Sequence, residues 1–342
     1  MANILIIGAG SMGTAFSFPC SDNNHTVSII GTHLENDFID QIKSSRKHPA
    51  LNCEVAKSVT FSKFEELGEE VKKKVDLIVI AVISKGIEWA SVKLSKILKN
   101  NVPILILTKG LAINNNNYEI LAHKMERLLK NNGIKKTNIS AAGGPCLAKG
   151  LANKAHTSVV LANKDIKVAK QISELILTDY YHVFTSDDVV GVEACAAIKN
   201  IFSMAVGASQ GLCDSIASKE KNYLNTAAAL IQESIYEMII FVEKLKGKKE
   251  TVIGLAGIGD LYVSADGGRN SKMGKYLGQG MTFKEAKKIK MPTDTVEGAD
   301  LALEIGAKVK SDFDTKTLPL MISMIDSICE EKPLKVDWKN FK

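Results

Sequence analysis

Apolar positions fall into short unbroken runs in the first half of the chain and into longer helical segments in the second. Asn3 to Ile7 reads NILII, Asp76 to Val82 DLIVIAV, Val102 to Thr108 VPILILT and Thr157 to Ala162 TSVVLA. Runs of this length between turn residues predict strands buried on both faces of a parallel sheet. HTVSIIG, Asn138 to Ala142 and Tyr180 to Phe184 add three more. Helical segments alternate with these strands, which predicts right-handed crossovers in a Rossmann-like, doubly wound, mostly parallel α/β sheet. After Asp187 no strand is expected. Helices are expected at Val189 to Leu212, Asn222 to Lys246, Ser271 to Leu277, Thr282 to Ile289, Val296 to Lys308 and Leu318 to Cys329. The pattern divides the chain into domains at 1–187 and 188–342, where Asp187 and Asp188 suit a helix start.

One helical stretch dominates the second part: VVGVEACAAIKNIFSMAVGASQGL, from Val189 to Leu212. It spans about six turns and is apolar on nearly every side, so it belongs in a core. A lysine near its middle, Lys199, must pair, snorkel to water, or lose its proton more readily than in water. Glu193, Lys199 and Asn200 argue against membrane insertion of this stretch.

Glycines mark the turns. GAGSMG follows the first strand directly, with Gly8 suited to a tight turn, Gly10 to close approach of a pyrophosphate and Gly13 to helix–strand packing. The helix start supplies N–H groups to the phosphates. Pro19 is expected to kink or end that helix early. The second strand ends Gly31-Thr32-His33, without an acid or arginine at the position that separates NAD from NADP; His33 and Glu35 both lie close by in sequence. Lys109 closes another strand, on the edge where open α/β sheets bind ligands. The asparagine run after it is expected to be a mobile loop tip. Gly143-Gly144-Pro145-Cys146 forms a further small-residue turn. In the second part, Gly254, Gly257 and Gly259 lead to Asp260, and Gly267 and Gly268 lead to Arg269 and Asn270, a pairing suited to phosphate oxygens.

Net charge is +6, suited to small anions rather than to a nucleic-acid duplex. The runs Lys72 to Lys74 and Lys287-Lys288 lack interleaved aromatics and read as solvated faces. Six cysteines without a CxxC pair argue for free thiols, no metal site and a cytoplasmic protein. Met1-Ala2-Asn3 runs straight into a strand, leaving no secretory pattern.

The order GxGxxG, TKG, GGPCLA, GVEACAAIKN, GLAGIGD, RN and VEG resembles the NAD(P)-dependent sn-glycerol-3-phosphate dehydrogenases of bacterial type, over nearly the whole chain. The resemblance implies a second domain like that of 6-phosphogluconate dehydrogenase. It implies NAD or NADP as cofactor, a small phosphorylated substrate and a homodimer without nucleic-acid partners. Hydride transfer would interconvert dihydroxyacetone phosphate and sn-glycerol 3-phosphate for phospholipid synthesis. It implies Lys199 as proton donor and acceptor, with Lys109, Gly144, Cys146, Lys199, Asp260, Arg269 and Asn270 at the substrate. Cofactor contacts would be Gly8, Gly10, Ser11, Met12, Gly13, Thr32, His33, Lys109, Ala148, Arg269 and Glu297. A free lysine titrates near pH ~10.4, so burial and the cation Lys109 are expected to lower Lys199.

The chain departs from that pattern at Cys146, Gly143 and Gly268, where the family carries serine, and at Ala227, where it carries arginine. Asp214 to Asn225 is longer than the pattern, and His48-Pro49 is unusual for it. Two other readings fit: a related dehydrogenase of another small anion, such as a hydroxy acid or ketopantoate, and a dinucleotide sensor without turnover.

Overall fold

The computed structural model describes residues 1–72, 74–98, 102–214 and 223–342. The Lys72 to Lys74 run, the Asp214 to Asn225 stretch and the helix start expected at Asn222 lie wholly or partly outside them. The chain forms two compact units: Met1–Lys109 with Ile120–Glu193, and Gly110–Glu119 with Ala194–Lys342.

The described strands are β1 (Asn3–Ile7), β2 (Thr26–Ile30), β3 (Lys47–His48), β4 (Cys53–Glu54), β5 (Val59–Ser62), β6 (Leu77–Ile80), β7 (Ile104–Ile106), β8 (Leu111–Asn114), β9 (Asn117–Ile120), β10 (Ile139–Gly143), β11 (Thr157–Ala162) and β12 (Tyr181–Ser186). Eight of them build the sheet of the first unit, in the order β12-β11-β10-β7-β6-β1-β2-β5. Counted along its own strands, the first six follow the 3-2-1-4-5-6 order of dinucleotide-binding sheets. Strand β11 runs antiparallel to β10 and parallel to β12, so the last two strands oppose the rest. Ile6, Ile7, Ile78, Val79 and Ile80 are fully buried, as strands covered on both faces require.

The helices of the first unit are α1 (Ser11–Asp22), α2 (Asn36–Ser45), α3 (Leu67–Lys72), α4 (Gly86–Ser95), α5 (Leu121–Asn131), α6 (Ala148–Ala152) and α7 (Ile166–Ile176). Contrary to the expectation for Pro19, α1 continues through it to Asp22. The missing N–H costs one bond on a helix whose residues 13–20 are all buried, and that packing holds the turn.

Helix α8 (Val189–Cys213) has its first residues, through Glu193, in the first unit and the rest, from Ala194, in the second. Of its most apolar window, 94% is buried, which is how a core helix passes the length and composition of a membrane span. Then follow α9 (Leu224–Lys244), α10 (Lys249–Val252), α11 (Asp260–Ala265), α12 (Arg269–Gly278), α13 (Phe283–Ile289), α14 (Glu297–Asp312) and α15 (Pro319–Cys329). The second unit also takes in β8 and β9. The asparagine run expected as a loop tip forms a hairpin turn, with Asn115 and Asn116 at φ 48° and 59°. Asparagine tolerates this left-handed backbone, which two-residue hairpins need at both central positions. Within this unit α8 and α12 cross at backbone contact. A Cβ on Gly207 would stand 2.3 Å from the Ser271 carbonyl, and one on Gly274 would stand 1.8 Å from that of Met204.

Candidate functional site

In the first unit the β1–α1 turn forms the cradle that the glycine spacing predicts. Gly8 has φ +109°, and a Cβ there would lie 2.6 Å from the Ala81 carbonyl. A Cβ on Gly13 would lie 2.1 Å from the Gly8 carbonyl oxygen. Gly10 faces open space, with one atom, Glu35 Oε1, within 4 Å of its Cβ position. No side chain caps α1, so the N–H groups of its first turn, at Ser11 and Met12, are available to phosphate oxygens. These residues fit a dinucleotide: a backbone cleared of side chains at Gly10, facing a helix start.

Thr32 is half-buried and His33 is exposed at the end of β2. The Thr32 N–H donates to the Glu35 carboxylate at 2.7 Å, and the His33 ring lies 5.4 Å from that of Trp89. Lys109 follows β7, and its Nζ donates to the Gly144 carbonyl at 3.5 Å, joining two of the expected substrate contacts. Gly144 has φ +120°, a backbone that glycine adopts without strain. Cys146 is half-buried against the sheet core, and Ala148 starts α6.

In the second unit Lys199 is 6% exposed and Asp260 2%. The lysine does not snorkel: Nζ donates to Asp260 Oδ1 at 2.9 Å and to Ser264 Oγ. Asp260 and Ser264 are four residues apart on α11 and so share one helix face. Glycines place that helix: Leu255–Gly259 is a π-type turn, and a Cβ on Gly257 would stand 1.9 Å from the Val252 carbonyl. Ser264 has no motif of its own in the sequence.

The neighbour of Lys199 is tied down as well. Asn270 Nδ2 donates to Asn200 Oδ1 at 3.0 Å, and Asn270 Oδ1 accepts the Gly298 N–H at 2.9 Å. Arg269, the first residue of α12, instead pairs with Glu297 at the start of α14. Both are about half exposed, so an anion reaching Arg269 competes with that carboxylate in water. Ala227, the expected departure, is buried on α9. Among the described residues no group of three or more His, Cys, Asp or Glu side chains is arranged to hold a metal ion.

This chemistry, a dinucleotide cradle in one unit and a buried lysine–carboxylate–hydroxyl cluster beside an Arg-Asn turn in the other, has known counterparts. Residues 3–169 match the NAD-dependent glycerol-3-phosphate dehydrogenase N-terminus, and residues 188–336 match its C-terminus. The glycerol-3-phosphate dehydrogenase [NAD(P)+] of Agathobacter rectalis is 30% identical over 340 residues, 98% of this chain and 94% of that one. The NADP(+)-dependent glycerol-3-phosphate dehydrogenase of Archaeoglobus fulgidus is 28% identical over 314 residues, 90% of this chain and 91% of that one. The crystal structure of glycerol-3-phosphate dehydrogenase from Coxiella burnetii superposes with a TM-score of 0.80 at 26% identity, covering 97% and 96% of the two chains. The chain belongs to the NAD-dependent glycerol-3-phosphate dehydrogenase family.

Proposed function

We propose that this chain is an oxidoreductase that reversibly reduces dihydroxyacetone phosphate to sn-glycerol 3-phosphate. The observation that carries the reading is the buried Lys199–Asp260 pair with Ser264 on the same nitrogen. A nicotinamide dinucleotide, when bound, supplies or takes the hydride. Lys199 gives a proton to the carbonyl oxygen in reduction and takes it back from the hydroxyl in oxidation. Asp260 and Ser264 fix Nζ in one position, which removes the rotamer search a free lysine would make. Asn270 and Arg269 at the start of α12 take the phosphate, with helix N–H groups behind them. Lys109 and the Gly144–Cys146 turn hold the remainder of the substrate, and Gly8 to Gly13, Thr32, His33, Ala148 and Glu297 serve the cofactor.

We place the enzyme in the cytoplasm, as a homodimer supplying phospholipid synthesis. All six cysteines are free, which suits a reducing compartment, and the apolar helical second unit suits self-association.

The test is steady-state kinetics with dihydroxyacetone phosphate and each reduced cofactor, on the natural chain and on Lys199→Met. The variant should retain dinucleotide binding and lose roughly 100-fold or more in turnover. Near-normal turnover would remove Lys199 from the reaction. Binding without turnover in the natural chain would favour a sensor, and turnover of a hydroxy acid alone would move the substrate.

A further inference from the structure

The carboxyl end of β2 carries a carboxylate that the sequence did not place at a ligand. Glu35 Oε2 accepts the Thr32 N–H at 2.7 Å and the Ala9 N–H at 3.3 Å, so it bridges the end of β2 to the glycine turn. Its other oxygen is the one atom within 4 Å of the Gly10 Cβ position. In doubly wound sheets this edge meets the adenosine half of a dinucleotide, and an acid there accepts from the ribose 2′-hydroxyl. We propose that Glu35 reads the adenosine ribose and makes this chain select NAD(H) over NADP(H). The inference rests on the dinucleotide reading above and goes beyond it, since family membership covers both cofactors.

Three observations converge on it. Two cations of this neighbourhood are engaged elsewhere: Lys63 is held by Asp40 at 2.5 Å, and Arg46 donates to the carbonyls of Val55, Ala56 and Val59. His48, singled out as unusual in the sequence, is 4% exposed and lies close enough to feel Glu35. Burial holds its imidazole below the usual range against the opposing pull of the Ala9 backbone and Glu35. Finally, Trp89 stands with His33 at 5.4 Å and Phe64 at 5.0 Å, an aromatic cluster that His33 joins two residues before Glu35 and that suits an adenine ring. A 2′-phosphate would bring a second anion to Glu35, and like charges in contact discriminate strongly.

Fluorescence titration of NADH and NADPH against the whole chain, without substrate, tests this directly. The natural chain should bind NADH roughly tenfold or more tighter than NADPH, and Glu35→Gln should shrink that gap to about threefold or less. Glu35→Asp keeps the charge and should keep the rejection of NADPH, which gives the test a second arm if the amide disturbs the turn. Equal affinities in the natural chain, tighter NADPH, or an unchanged gap in Glu35→Gln would overturn the proposal. Failure of both dinucleotides to bind would overturn the dinucleotide reading and this proposal with it.

Discussion

Lys199 Nζ and Asp260 Oδ1 lie 2.9 Å apart, and both side chains are almost wholly buried. The pair therefore has a structural role besides its chemical one, and the two separate by mutation. Asp260→Ala leaves a buried ammonium without its counterion, a loss of about 3–5 kcal/mol. Replacing both groups with apolar ones, Lys199→Met with Asp260→Leu, should recover most of that stability because no charge remains to desolvate. Turnover should stay lost in both. Urea denaturation beside an activity assay checks this. A double variant as unstable as Asp260→Ala would mean that the site depends on packing that the charges do not explain.

The helix crossing under the site makes a second prediction. Gly274→Ala would place a Cβ 1.8 Å from the Met204 carbonyl, a backbone atom that cannot swing away. Helices α8 and α12 must then separate, at about 1–3 kcal/mol. Because Arg269 and Asn270 start α12 and Asn270 bonds Asn200, the shift should also raise KM for the phosphorylated substrate. Gly68→Ala, on α3 with nothing within 4 Å, is the control. Its stability should be unchanged or better by about 0.5–1 kcal/mol. Thermal melts should therefore fall for Gly274→Ala and not for Gly68→Ala.

The sequence was most legible where one physical constraint dominates. Gly8, Gly10 and Gly13 after a buried strand admit few backbone paths, and an apolar helix carrying one lysine has few places to put it. Lys199 still left three outcomes open, and only the packing of α11 shows pairing rather than snorkelling. Ser264 was invisible because nothing in GLAGIGDLYVSA says which face of α11 turns toward α8. Strand β5 is four residues, VTFS, too short and too polar to stand out before it pairs with β2. Pro19 misled because propensity is local, whereas the burial of α1 is tertiary. Glu35 sits beyond the strand end, and only its reach back to Ala9 and Thr32 gives it a position at the turn.

The third prediction concerns pH. Glu193, the last residue of the first unit, is buried and caps α5 by accepting the Ala122 N–H at 2.9 Å. Burial pushes its carboxyl up to about 8, although that N–H pulls the other way. Glu237 of the second unit is pushed up to about 8 by burial too, against the N–H groups of Leu320 and Met321. For each group the folded value exceeds the unfolded one of about 4.5. The folded chain therefore binds more protons between those two values, and stability falls as pH rises from about 5 through about 8. Below that window both states are protonated and nothing is lost; above it both are ionised and the loss is complete. Glutamine cannot ionise, yet its carbonyl can still accept the N–H. Glu193→Gln should therefore remove its share of the slope, on the order of a few kcal/mol at most, and the variant with both glutamines should lose both shares, keeping the opposite, rising contribution of His48, whose imidazole burial holds low. Urea midpoints at half-unit steps from pH 5 to 9 give the comparison. A double glutamine variant with the same pH slope as the natural chain would show that both carboxylates are ionised in the folded state.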